Sequence, residues 1–221
     1  MILFSQHIFN LSTNQHSVDL LCSSGVDSIA AAHYFINNFK KISVSLLHFN
    51  HNLRDQNQVM EESFKSFAIS IGVSYCIVPL KCVDSTEDSC RKARIKYLQQ
   101  YVNTTFITAH HLDDCVESYL LNCLRGKEGF LPIPFHTELT NNNSINRPFI
   151  FSRKKDFIAY AKQHNILKYV VEDETNLQTK GSRRNLLRNK IVPLLEEEKV
   201  GLNTIVKKKM TERLSSSLKE L

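Results

Sequence analysis

The stretch Asp19–Phe35, DLLCSSGVDSIAAAHYF, passes from an apolar run through Ser23-Ser24-Gly25-Val26-Asp27-Ser28 into an alanine-rich helical pattern. A strand end, then small residues, then a helix start offers free backbone N–H groups and the positive end of a helix dipole. That combination suits a phosphate. The hydroxyls of Ser23, Ser24 and Ser28 add donors, and Gly25 lets a ligand approach the backbone closely. Asp27 is out of place beside a phosphate unless it caps the helix or holds a cation that neutralises the phosphate charge. A plain N-cap at a strand–helix turn would use the same residues with no ligand at all.

A second constellation is TAHHLDDCVESYLLNCLRG, Thr108–Gly126. His110 and Asp114 are four residues apart, as are Asp113 and Glu117, so one helical turn can carry acids and a histidine to one crevice. Such a set serves a magnesium ion or a general base. For Asp113 an N-cap, and for Glu117 a solvated face, are the readings preferred on the residues alone. In EDSCRKARIKYL, Arg91 and Arg94 are three apart and can lean on one face, where guanidinium pairs suit phosphates. Lys180–Lys190 holds five cations and no acid, with Arg184 and Arg188 one turn apart. The bland alternatives are an exposed basic helix for the first and a salt bridge to the acidic EDETN, Glu172–Asn176, for the second.

These residues sit at the seams of a repeating pattern. VDLLCS, ISVSLLHFN, VSYCIVPL and TTFITAHH read as buried strands; the segments between and after them read as helices. In the second helix Met60, Phe64, Phe67, Ala68 and Ile71 share one 3.6-period face, and Gly126 is placed to stop the fourth. The rhythm predicts an α/β fold, an open and mainly parallel sheet with helices on both faces, followed by a small helical C-terminal part. Ligands in such sheets bind beyond the carboxyl ends of the strands, here Cys22–Gly25, His48–His51, Pro79–Lys81 and His110–Asp113.

After Gly126 the rhythm weakens. KEGFLPIPFHTELTNNNSIN reads as a long loop. SRKKDFIAYAKQHNI reads as a helix capped by Ser152, LKYVVED as a short strand, RRNLLRNKIVPLLEEE as helical on both sides of Pro193, and the segment from Leu202 as a basic amphipathic helix. The expected division is an ATP-binding-type α/β core over 1–130, the remainder of the same unit over 131–200, and a C-terminal helix over 201–221. No internal repeat or separate second domain is expected.

The net charge is +6 over 221 residues, concentrated in RKARIK, RKK, KGSRRNLLRNK and KKK. Clustered cations suit a polyanion such as nucleic acid, and also occur on solvated helix faces. Six cysteines, at 22, 76, 82, 90, 115 and 123, form no Cys-x-x-Cys pair and read as reduced thiols. No apolar run spans a membrane, and MILFSQHIFNLST lacks the basic start and cleavage site of a signal peptide. A cytoplasmic location is expected, with an organelle matrix such as a plastid stroma as the alternative.

In order, SSGVDS, HFNHNLR, CRKARIKYL, TAHHLDD with ES and LRG, RPFIFSRKKDFIAYAKQHNI, and EDETN with RRNLLRNKIVPLL resemble the motif series of the tRNA(Ile)-lysidine synthetase family, of the PP-loop ATP pyrophosphatase superfamily. The resemblance runs from about Leu20 to Leu195. It implies a ligase that uses ATP and Mg²⁺ to adenylate C2 of the wobble cytidine in a CAU-anticodon tRNA(Ile). The amine of free L-lysine then displaces AMP and leaves lysidine. It also implies the roles. Ser23, Ser24, Gly25, Val26, Asp27 and Ser28 would hold the nucleotide phosphates, and His48 would lie near adenine. Asp27 and Asp114 would hold the metal, and His110, Asp114, Arg91 and Arg184 would be catalytic. The chain departs from the family where Ser24 replaces a glycine of Ser-Gly-Gly-x-Asp-Ser, where CR stands for AR before Lys92, and in lacking the extra C-terminal domains of larger relatives. A tRNA thiolase of the same superfamily would commonly need paired cysteines, and an amide-forming ligase would need no basic surface. A non-catalytic nucleotide-binding module has only Ser24 in its favour. The oligomeric state stays open, with a homodimer compatible.

Overall fold

The computed structural model describes residues 1–11, 16–50, 56–81, 86–126, 133–172 and 182–217. Its centre is a six-stranded sheet of β1 (Ser17–Leu21), β2 (Ser43–Asn50), β3 (Ser74–Pro79), β4 (Thr105–Ile107), β5 (His136–Glu138) and β6 (Ser144–Asn146), in the order β3-β2-β1-β4-β6-β5. Every pairing is parallel except β5 with β6. The expected open, mainly parallel sheet is therefore present.

Strand burial explains why the central strands read as continuous apolar runs. Leu20, Leu46 and Ile107 pack on one face with α2 (Val26–Asn38), α3 (Gln56–Ser70) and α6 (Lys154–Gln163). Leu47, Phe106 and Ile145 pack on the other, with Leu98 of α4 (Glu87–Leu98). Both faces are covered, so neither shows a polar alternation. Ala30, Ala31 and Ala32 are fully buried and let α2 lie close to the sheet. The expected α3 face holds: Phe64, Phe67 and Ala68 are fully buried and Ile71 packs beside them. A short N-terminal helix, α1 (Gln6–Phe9), puts Phe9 into a ring cluster with Phe4, Phe35 and Phe39.

Three expectations for the second half change. The Asn run is a hairpin turn: Asn141 and Asn142 both sit at positive φ, 60° and 56°, and Asn143 N–H donates to Thr140 O. Two central residues at positive φ are what a type I′ hairpin turn requires, and asparagine tolerates that region. The supposed loop thus supplies β5 and β6. LKYVVED forms a 3₁₀ turn, Leu167–Tyr169, and no strand; no sheet edge is offered to it, since β3 and β5 are the two ends of the order. Ser152 does not cap α6. Its hydroxyl accepts from Leu3 N–H and donates to Leu3 O, while Arg153 takes the N-cap position and Asp156 Oδ2 accepts the Arg153 N–H at 2.8 Å.

The basic segment is helical on both sides of Pro193, as expected: α7 (Arg183–Leu186), a π-helical turn (Leu187–Ile191) and α8 (Val192–Glu197). Proline has no N–H and crowds the carbonyl four residues back, so a widened turn just before it relieves the ladder. The last helix, α9 (Leu202–Ser217), buries Leu202, Val206, Met210 and Leu214, a strict i, i+4 stripe, against α5 (Leu112–Cys123). No helix among the described residues is long and apolar enough to cross a membrane.

Candidate active site

A cleft of about 400 Å³ opens at the carboxyl ends of β1, β2 and β4, where the parallel topology leaves room between crossover helices. Ser23, Gly25, Asp27, Ser28, His48, His110 and Asp114 line it, together with Arg94, Asn57 and Met60. The strand end Pro79–Lys81 does not contribute to it. His51 and Arg54, and Asp173–Asn176 of the acidic run, lie outside the described residues.

The loop between β1 and α2 is held by its own side chains. Gly25 is the N-cap of α2 and no side chain caps the helix, so the first-turn N–H groups keep no intrahelical partner. Ser28 Oγ accepts the Ser23 N–H at 3.1 Å and donates to Gly25 O at 2.9 Å. A Cβ on Gly25 would meet only Ser23 Oγ, at 3.5 Å, an ordinary contact. Nothing inside the protein demands glycine there, which leaves close approach from the cleft as its use.

Ser24 sits at φ 65°, the left-handed region, at a cost of about 1–2 kcal/mol for a residue with a Cβ. Its side chain is fully buried and turned out of the cleft, donating to Met60 O at 2.7 Å. Its carbonyl accepts the Val171 N–H at 3.0 Å. The hydroxyl expected to add a donor for phosphate instead ties the loop to α3. Val26 is half-buried against the core. His48 donates or accepts at Nδ1 with Cys22 O at 2.8 Å and stacks on Phe64 with ring centroids 4.9 Å apart; burial lowers its pKa.

His111 is the residue that gathers the acids. It is the N-cap of α5, and Asp114 Oδ2 accepts its backbone N–H at 3.0 Å. Its ring lies 3.4 Å from Asp27 Oδ2 through Nε2, and 3.4 and 3.6 Å from Asp114 and Asp113 through Nδ1. Burial opposes its charge, but Asp114, Asp27 and Asp113 outweigh it and raise His111 to about 9. As a neutral ring, Nδ1 would accept the Asp114 N–H, at a long 3.4 Å; three surrounding carboxylates favour the imidazolium instead. His110, next to it, goes the other way. Burial, resisted by Asp114 but helped by Arg147, His111 and Arg184, lowers it to about 4. It is a neutral ring, with Nδ1 2.7 Å from Thr108 Oγ1, set on the cleft wall. The pair offers a fixed cation and a neutral base side by side.

Glu117 is not on a solvated face. It is 3 % exposed and accepts a two-pronged bond from Arg188, Nε to Oε1 at 2.6 Å and Nη2 to Oε2 at 2.8 Å. Arg184 reaches the same carboxylate at 3.3 Å and Ser118 Oγ at 3.2 Å. Arg188 also lies 3.4 Å from Asp114. Asp113 accepts from Arg153 Nε at 2.9 Å and Lys154 N–H at 2.7 Å, so it anchors α6 and does not cap α5. Of the expected catalytic arginines, Arg184 stands behind the cleft on Glu117, and Arg91 is exposed on α4 while Arg94 faces the cleft. His111, Glu117 and Arg188 were underweighted by sequence reasoning; the i, i+3 relation of His111 to Asp114 was the available signal.

Asp27 is the exception among these carboxylates. Its Oδ2 faces His111, but Oδ1 is buried with no hydrogen-bond partner among the described residues. No group of three or more His, Cys, Asp or Glu among the described residues could hold a metal by itself. One orphaned carboxylate oxygen beside an anion loop fits Mg²⁺ carried on nucleotide phosphates, which takes one or two carboxylates and fills the rest with phosphate and water. Both oxygens of Asp114 already have partners in the His111 N–H and Arg188.

The two histidines set opposite pH limbs on stability. His111 is raised from 6.5 to about 9, so its contribution is complete below pH 6.5 and is lost as pH rises through 9. That interval corresponds to about 3 kcal/mol. His110 is lowered from 6.5 to about 4, so its contribution is complete above 6.5 and is lost on acidification. Chemical denaturation should show stability falling from pH 6.5 to pH 9, and His111→Asn should flatten that limb. An equal fall in wild type and variant would remove His111 as its source.

The PP-loop domain family matches residues 4–195. Among curated relatives, a tRNA(Ile)-lysidine synthase from Aster yellows witches'-broom phytoplasma is 30 % identical, over 91 % of this chain and 46 % of its own length. One from Pseudothermotoga lettingae is 31 % identical, over 82 % and 42 %, and one from Francisella tularensis subsp. holarctica 30 %, over 88 % and 53 %. The chain thus spans about half the length of the curated relatives it matches. In fold it is similar to the U34-tRNA thiolase NcsA from Methanococcus maripaludis, with a TM-score of 0.70 and 16 % identity over 93 % of this chain and 75 % of that one. The chain belongs to the PP-loop domain family and is similar, over most of its length, to the tRNA(Ile)-lysidine synthases.

Proposed function

We propose that the protein modifies the wobble cytidine of a CAU-anticodon tRNA(Ile), joining L-lysine to C2 at the expense of ATP. The C2 carbonyl oxygen of the cytosine attacks the α-phosphorus of ATP and pyrophosphate leaves. The amine of lysine then attacks C2, gives up a proton, and AMP departs with the former carbonyl oxygen. The observation that carries this reading is one arrangement: an uncapped helix start with Gly25 at its tip faces Asp27, whose free oxygen lies beside the His111–Asp114 pair. Similarity to the lysidine synthases supplies the substrates.

The residues divide the work by chemistry. Backbone N–H groups of the Ser23–Ser28 loop receive the leaving pyrophosphate. Asp27, through Oδ1, would hold Mg²⁺, which when bound neutralises phosphate charge. Neutral His110 accepts the proton released by the attacking amine, since its pKa of about 4 keeps it unprotonated at neutral pH. Protonated His111 keeps Asp27 and Asp114 in register despite their like charge. Arg94 on the cleft wall faces the incoming anions. Arg91, exposed on α4, suits an RNA phosphate.

The test is direct. Protein, ATP, Mg²⁺, labelled L-lysine and CAU-anticodon tRNA(Ile) should give ATP-dependent label in RNA, with one AMP and one pyrophosphate per lysine. The same tRNA with a uridine at the wobble position should stay unlabelled. RNA without label under these conditions refutes the reading.

A further inference from the structure

The acids of the site all have cationic neighbours, but one buried cation has no acid. Arg147 follows β6 directly, at the carboxyl end of the sheet, and is 9 % exposed. Its Nη1 donates to Pro134 O and Thr137 Oγ1, each at 2.9 Å, and to Ile145 O at 3.5 Å. Its Nε is buried with no hydrogen-bond partner. All three acceptors are neutral. Cys115 is near enough to feel its charge, but burial pushes that thiol far up, so it stays protonated and gives no counter-charge. Arg91 adds a second positive charge in range: burial first, and Arg91 after it, bring Arg147 down to about 10. Arg147 is therefore still charged at neutral pH, and its field reaches His110 on the cleft wall.

A guanidinium that is held on one side by carbonyls and left unpaired on the other is a preorganised receptor for an oxyanion. Keeping it buried without one is costly, and that cost is recovered when the anion arrives. We propose that Arg147 anchors the α-carboxylate of the free amino acid substrate. The inference rests on the functional reading above and names how the amino acid is chosen. The recess is too closed for a polymer backbone but admits a small carboxylate. A carboxylate seated at Arg147 also lets the four-carbon stem of lysine carry its reactive amine toward His110 and the acids of the cleft. The same geometry explains why an unbranched amino acid, with its reactive group at the far end, would be preferred over a simple diamine.

The experiment compares L-lysine with L-lysinamide, which keeps both amines and loses the carboxylate, in the tRNA-labelling reaction. Wild type should show a KM for lysinamide at least tenfold above that for lysine, the size expected for a charge-assisted bond. Arg147→Met should raise the KM for lysine tenfold or more and leave that for lysinamide unchanged, so the preference disappears. Arg147→Lys should retain part of it. RNA-dependent pyrophosphate release in the absence of lysine should be the same in wild type and in Arg147→Met, which separates this from loss of fold. Equal use of lysine and lysinamide by wild type, or an intact preference in Arg147→Met, overturns the proposal. A rise in the KM for RNA instead of lysine overturns it in favour of a phosphate contact. Pyrophosphate release without any amine transfer overturns the lysine reading itself, and the assignment with it.

Discussion

Asp27→Asn should lower turnover by a hundredfold or more while leaving the protein folded. The argument is one of charge at constant shape. Asparagine fills the same volume, and its carbonyl can still accept from His111 Nε2, which lies 3.4 Å from the Asp27 carboxylate. What disappears is the negative charge behind the buried oxygen that has no partner in the protein. If that oxygen serves Mg²⁺ on the nucleotide, its loss removes charge neutralisation at the leaving pyrophosphate, an effect of the order of 10²–10³ in rate. Two measurements separate this from simple damage. Binding of a fluorescent ATP analogue should depend on Mg²⁺ in wild type and lose that dependence in the variant. Thermal stability at pH 6.5 should change little. The competing role, in which Asp27 only steadies His111, requires His111→Asn to be as inactive as Asp27→Asn, with Mg²⁺ dependence kept in both. That outcome would move Asp27 from metal ligand to positioning residue.

What the sequence discloses about such a site depends on range. Local relations are legible. SSGVDS announces a strand–helix turn, and TAHHLDD announces a helix start, because small residues, caps and periodicity act within a few positions. The parallel sheet follows from the alternation of apolar runs. Burial of a charged group is different, because it is decided by a distant segment. Glu117 looks like an exposed helix position until Arg184 and Arg188, some seventy residues on, cover it. The choice between His110 and His111 fails for the same reason: spacing puts His110 one turn from Asp114, but the helix starts at Leu112, so His110 still lies on the strand end and His111 turns into the acids. The Asn141–Asn142 turn was legible in principle. Two asparagines between HTE and SIN are a hairpin signal, hidden by strands of only three residues. Ser24 is the reverse case. Its departure from glycine is plain in the sequence, but its left-handed backbone and its bond to Met60 need the fold.

Glu117→Ala should cost about 3–5 kcal/mol, the size expected when one member of a buried ion pair is removed and its partners stay behind. Glu117 is almost wholly buried and its two oxygens take both prongs of Arg188 and the reach of Arg184. Without it, those cations keep only Asp114, 3.4 Å away, and Ser118. Asp114 would then be drawn from the His111 N–H toward Arg188, so the damage should pass into the cleft. Local release should be visible as well. Arg183, Arg184, Arg188 and Lys190 are all sites for trypsin, and α7 with its π-helical turn packs on α5 largely through this clamp. Limited proteolysis should therefore cut the 183–190 segment of Glu117→Ala well before global unfolding, while wild type resists. Glu117→Gln, which keeps the shape and some hydrogen bonds, should fall between the two. Joint replacement of Glu117 and Arg188 by methionine should recover much of the stability but not the activity, because an apolar pair can fill the space of a buried ion pair without its desolvation cost. If Glu117→Ala unfolds within 1 kcal/mol of wild type and trypsin finds no new site, the clamp is incidental, and α7 is held by Leu187 and Val192 in the core alone.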